Sequence, residues 1–194
     1  MKKLIGGIIL LFLSTTGLWA DQFNFYVSQT PARQIVVKDQ FNTTFRSDPF
    51  LSFGIELETT LNEQMQWSLG ILHSPDQKYA VSTGQATYSS TSYYYKIKYS
   101  LIDFKDSVFY IGARASLEFA SVQGFPLLGG VDVGTGAGIL TGIESNSWFG
   151  EYGYFFSTPT LRFTAGFTDS YQEQTELKIG YRIRFNFIDL FPAS

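Results

Sequence analysis

From residue 51 to residue 187 apolar and polar residues alternate in segment after segment, and this two-residue period constrains the fold more than any other feature. Successive side chains of a strand point to opposite faces, so such a segment is a strand with one greasy and one polar side. The last segment, 176–187, reads ELKIGYRIRFNF. Leu177, Ile179, Tyr181, Ile183, Phe185 and Phe187 share one phase, and Glu176, Lys178, Gly180, Arg182, Arg184 and Asn186 share the other. The same pattern runs through 51–58, 65–71, 93–101, 109–119, 131–143 and 148–156, with no competing helical period. Aromatic residues make up 18% of the chain, with 19 Phe, 12 Tyr and 18 Gly, which is the composition of an all-β protein.

The connections alternate as well. Short links at 61–64, 102–106 and 144–147 are interleaved with long ones at 74–90, 120–130 and 157–174. Short turns at one end and long loops at the other are the topology of membrane barrels. Parity then requires an eighth strand before residue 50. Segment 23–28 is preferred, and 33–39 competes for that place. Segment 160–167 reads as part of a long fourth loop or an extension of strand seven, although it could be a separate strand.

The polar phase decides which face points inward. It carries Glu56, Glu58, Glu118, Asp132, Glu151 and Glu176 against Lys96, Lys98, Arg114, Lys178, Arg182 and Arg184, while the opposite phase carries almost no charge. Matched acids and bases suit a closed interior, where buried charges must be paired. Glu56 and Glu58 with Arg182 and Arg184 form the expected core of that network. The greasy phase then meets lipid, with Trp67, Tyr93, Trp148, Tyr154 and Tyr181 at the interfacial belts. An eight-stranded barrel is filled by its own side chains and is not an open pore.

The ends fit an exported chain. Lys2 and Lys3 precede an apolar run from Leu4 to Leu13, too short for a membrane helix and followed by Ala20, so 1–20 reads as a signal peptide. Its removal takes two lysines and moves the net charge from −3 to −5, which argues against nucleic acid as a partner. There is no Cys, so neither a disulfide nor a lipoprotein anchor is available. The expected organisation is a signal peptide, a barrel over 21–187 and a short tail over 188–194.

Segment 136–156, GAGILTGIESNSWFGEYGYFF, and segment 179–185, IGYRIRF, carry a resemblance to a known family. With its Gly-rich strand, tight turn, Trp and inward Glu among tyrosines ahead of a closing strand, the chain resembles the small eight-stranded outer-membrane barrels of the OmpA transmembrane-domain and OmpX/Ail type. The resemblance implies an up-and-down transmembrane β-barrel in the bacterial outer membrane, inserted by the barrel-assembly machinery. It also implies an insertion signal at the closing strand, here Tyr181, Phe185 and Phe187, with IDLFPAS beyond it where the family usually ends.

Three further features bear on function. His73 precedes Ser74, with Asp76 nearby, and a His base beside a Ser nucleophile is the minimum for a lipid-modifying hydrolase. Adjacent strand residues point to opposite faces, however, so a direct bond between the two is not expected. Segment 129–138, GGVDVGTGAG, lacks the helix and the Lys-Ser/Thr of a phosphate loop. The long loops, above all 74–91 with its Ser, Thr and Tyr, are where host or surface ligands would bind. The reading is a barrel with a plugged lumen and a structural or surface role, with no enzyme activity, metal or cofactor. A lipid A deacylase-like enzyme and a soluble periplasmic barrel holding an apolar ligand are the alternatives.

Overall fold

The computed structural model describes residues 22–37, 43–81, 84–124, 128–158, 161–163, 166–168 and 170–184. The expected signal peptide, Phe185, Phe187 and the tail over 188–194 lie outside these residues. Among the described residues thirteen strands follow in chain order: β1 Gln22–Thr30, β2 Arg33–Val37, β3 Thr43–Arg46, β4 Phe50–Thr60, β5 Met65–Val81, β6 Gly84–Phe104 and β7 Ser107–Gln123, then β8 Leu128–Val131, β9 Gly134–Ser145, β10 Trp148–Ser157, β11 Leu161–Phe163, β12 Gly166–Thr168 and β13 Ser170–Arg184.

Eight of them close a ring. The order β1-β4-β5-β6-β7-β9-β10-β13 is antiparallel throughout, and β13 pairs back onto β1 from Gln22↔Arg184 to Gln29↔Leu177. Segment 22–30 is therefore the first ring strand. Closure leaves no unpaired backbone edge for hydrocarbon to penalise. At one end the strands join through tight turns, and the side chain of Asn62 accepts hydrogen bonds from the backbone of Gln64 and Met65 at 2.9 Å each.

The competing segment also forms a strand, but a different one. β2 pairs with β13 over Ser170–Gln174 and with β3, while Ser47 bridges to Tyr79 of β5. The first loop thus folds into a hairpin that takes over the wall above the ends of β1 and β4. Segments 161–163 and 166–168 form a small sheet with β8, outside the ring, as the fourth-loop reading has it.

The long links 74–90 and 120–130 differ from the expectation. β5 and β6 stay paired up to Val81↔Gly84, and β7 follows β6 to Gln123. The Ser and Thr residues there suit a strand with a wet outer face. The register of β5 slips between Ser74 and Gln77, a bulge that moves the inward phase from even to odd residues.

The greasy phase faces outward. Phe25, Phe53, Ile55, Ile111, Ile139, Tyr152, Ile179 and Tyr181 are exposed, whereas Glu56, Lys96, Glu151 and Lys178 are at most 3% exposed. This orientation is the reverse of the soluble alternative.

Candidate functional site

The inward phase stacks its charges in layers from the turn end to the loop end. In the first layer Lys98 reaches Glu58 and Glu144, both at 2.6 Å, and Arg182 reaches the same two carboxylates at 3.4 and 2.7 Å. The four residues close a ring of alternating sign. They meet because β4, β6, β9 and β13 each place an inward residue at that height.

One layer up, Lys96 lies between Glu56 at 2.9 Å and Glu151 at 3.0 Å, and Lys178 approaches Glu151 at 2.8 Å. Hydroxyls complete the carboxylates' shell. Tyr94 donates to Glu56 at 2.7 Å, Tyr110 donates to Glu151 at 3.1 Å, and the Asn24 amide donates to Glu56 at 3.1 Å. Arg114 then forms a bidentate pair with Glu176 at 2.9 and 3.0 Å, the geometry in which guanidinium and carboxylate bond best. In the last layer Arg33 meets Glu118 at 3.3 Å, and Glu118 also accepts from Tyr88 at 3.0 Å and Ser157 at 2.9 Å.

Aromatic rings fill the space between the ions. The Lys178 ammonium sits 4.3 Å from the Tyr26 ring centroid, and the Arg114 guanidinium 3.3 Å from that of Phe155. The rings fit because facing positions lack a side chain. Tyr26 lies over Gly54, Tyr94 over Gly70 and Phe149 over Gly180, and a Cβ at any of the three would collide with the ring.

Of the residues expected in this network, Glu56, Glu58, Lys96, Lys98, Arg114, Glu118, Glu151, Glu176, Lys178 and Arg182 come together. Glu56 is held by Lys96, while Glu58 is the carboxylate that Arg182 reaches. Asp132 falls in the link between β8 and β9, half-buried and outside the ring strands, because β9 begins only at Gly134. Arg184 ends β13, and its side chain lies outside the described residues. Tyr181 is on the outer face, paired with Trp148 near the turn end.

Two members were missed. Glu144 shares the inward phase of Leu140 and Gly142 but falls in the segment 144–147 that reads as a turn. Arg33 belongs to the strand that lost the competition for first place in the ring. With them in place, six acids and six bases are paired among the described residues.

His73 is exposed on the outer face and contacts the Thr91 hydroxyl at 3.1 Å. Ser74 points inward and shares a 2.8 Å hydrogen bond with Ser52. The two thus sit on opposite sides of the wall. No cluster of three or more His, Cys, Asp or Glu suited to a metal ion occurs among the described residues.

No protein-family model and no curated protein matches the sequence. Solved structures do match. The chain is similar to Neisserial surface protein A at 19% identity and a TM-score of 0.51, over 83% of this chain and 97% of that one. It is also similar to the outer membrane protein OprG from Pseudomonas aeruginosa at 9% identity and a TM-score of 0.49, over 86% and 97%. A third is Ail, the attachment invasion locus protein of Yersinia pestis, at 11% identity and a TM-score of 0.39, over 82% and 98%. An eight-stranded closed ring, apolar outside and charged inside, defines the fold class: a small antiparallel up-and-down β-barrel, the fold of Neisserial surface protein A.

Proposed function

We propose that this barrel is a closed membrane anchor that carries an extended surface structure, and that it neither conducts solutes nor catalyses a reaction. The observation that carries the reading is the ion-pair stack. Its charges are neutralised by partners across the interior, and its gaps are filled by Tyr26, Tyr94, Tyr110, Phe149 and Phe155, so the lumen is plugged. Buried pairs with this much added hydrogen bonding are costly to break one side at a time, which favours a fixed interior over a gated path.

The surface role is supported by β5, β6 and β7, which run well past the apolar band. On β6 the outward residues change from Tyr93, Tyr95, Ile97 and Tyr99 to Gln85, Thr87, Ser89 and Thr91. The polar part stands in water, where host or surface ligands could reach it. The enzyme alternative loses support because His73 and Ser74 cannot share a substrate across the wall. In this reading outer-membrane lipid surrounds the barrel, and the assembly machinery engages the closing strand that carries Tyr181.

The test is conductance. The full mature chain, folded into planar bilayers, should show no steady current at physiological salt. Stable ohmic openings in the wild-type protein would overturn the plugged reading.

A further inference from the structure

The outer wall carries a trough that the anchor role does not use. It has a volume of about 740 Å³ and crosses β5, β4, β1 and β13. The strand register explains it. His73, Phe53, Val27 and Ile179 are register partners from strand to strand and form one ridge. Ile71, Ile55, Phe25 and Tyr181 form the next ridge by the same pairing. Between them runs the row Gly54, Tyr26 and Gly180, whose side chains, where present, point inward and leave backbone as the floor. Three interstrand steps make the trough about 14 Å long. On the opposite wall the outward positions include the small residues Ala113, Ala115 and Ala137.

The two ends of the trough differ. Beyond His73 the exposed positions of β5 turn polar with Asp76 and Lys78, so His73 marks the loop-side boundary of the apolar band. Tyr181 lies beside Trp148 near the turn end. The trough therefore slopes through the hydrocarbon layer from an imidazole at the headgroup level. At that depth the surrounding material is lipid chains, and every lining side chain between the two ends is apolar.

We propose that this trough seats one acyl chain of a phosphate-bearing lipid of the outer leaflet, with the headgroup phosphate against His73. An imidazole N–H can donate to a phosphate oxygen, and the ridges bury the chain along its length.

The experiment is native mass spectrometry of the full mature barrel, released from mild detergent containing dimyristoyl phosphatidylglycerol or dimyristoylglycerol. The expected result is one retained phosphatidylglycerol per barrel. Val27→Trp, which fills the trough, should weaken retention about tenfold. His73→Ala should weaken retention of phosphatidylglycerol but not of dimyristoylglycerol, and His73→Gln, which keeps a donor, should restore it. Ile111→Trp on the opposite wall should change nothing. Folding of each variant is read from the shift in gel mobility between unheated and boiled samples, and Ile179→Trp serves if Val27→Trp fails to fold. Equal retention by wild type and the trough-filled variant, or equal loss on Ile111→Trp, would overturn the proposal and leave only general solvation by lipid. A His73→Ala effect of the same size on both probes would overturn the headgroup assignment.

Discussion

The interior of this barrel changes character along single strands. At the membrane level the inward residues of β6 are Tyr94, Lys96 and Lys98, all ionically or hydrogen-bonded. Toward the loop end the same inward phase carries Ala86 and Tyr88, which join Ile35, Val37 and Tyr79 in an apolar core. The outer face changes in the opposite sense, from Tyr93, Tyr95 and Ile97 to Gln85, Thr87 and Ser89. The comparison teaches that the medium outside the wall decides which phase is greasy. Lipid outside leaves the interior as the place for charge, and water outside restores the ordinary rule of apolar burial. The loop-end region is in effect an extension with an apolar core of its own, built onto the ring by the continuing strands and the β2–β3 hairpin.

The two regions should respond differently to damage. Glu151→Ala should have the largest effect, because it leaves Lys96 and Lys178 facing each other in a buried layer. A loss of about 3–5 kcal/mol is expected, read as a fall in the urea midpoint of barrels folded in vesicles. Gly54→Ala should come next, since its Cβ collides with the Tyr26 ring, at about 1–3 kcal/mol in the same assay. An unchanged midpoint there would mean that the ring can tilt aside freely.

Arg33 and Glu118 link the two regions. Arg33→Met alone should strand Glu118, and adding Glu118→Gln should recover part of the loss. A coupling of about 0.5–3 kcal/mol is expected from the double-mutant cycle. Additive effects would show that the hairpin is not held by this pair.

Tyr79→Ala should leave the unheated-against-boiled gel shift as in wild type, yet expose the extended β5–β6 hairpin to protease. That outcome would confirm that the loop-end core melts separately from the membrane ring. A joint loss of both would make them one cooperative unit. Smallest of all, His73→Ala should change barrel stability by less than about 0.5 kcal/mol, being an exposed position away from the stack.

Much of this was legible in the sequence, for a local reason. Alternation at period two is written within each strand, so the all-β class, the ring, the inward phase and the outward belt of Phe, Ile and Tyr can be read residue by residue. The phase also places Glu56, Lys96, Glu151 and Lys178 inside without reference to any pairing.

The tertiary structure decided what local pattern does not encode. Which acid meets which base depends on the register between strands far apart in the chain, so Glu58 found Lys98, Glu144 and Arg182, while Glu56 found Lys96. The end of a strand depends on whether a neighbour still pairs with it, which is why β5 and β6 run to Val81 and Gly84 through a segment whose polar residues read as a loop. The bulge between Ser74 and Gln77 resets the phase of β5 and brings Tyr79 inward. The β2–β3 hairpin carries Arg33 to Glu118 because the wall above β1 and β4 would otherwise stand open. Periodicity is a property of one strand, whereas register, bulges and closure belong to the assembled sheet.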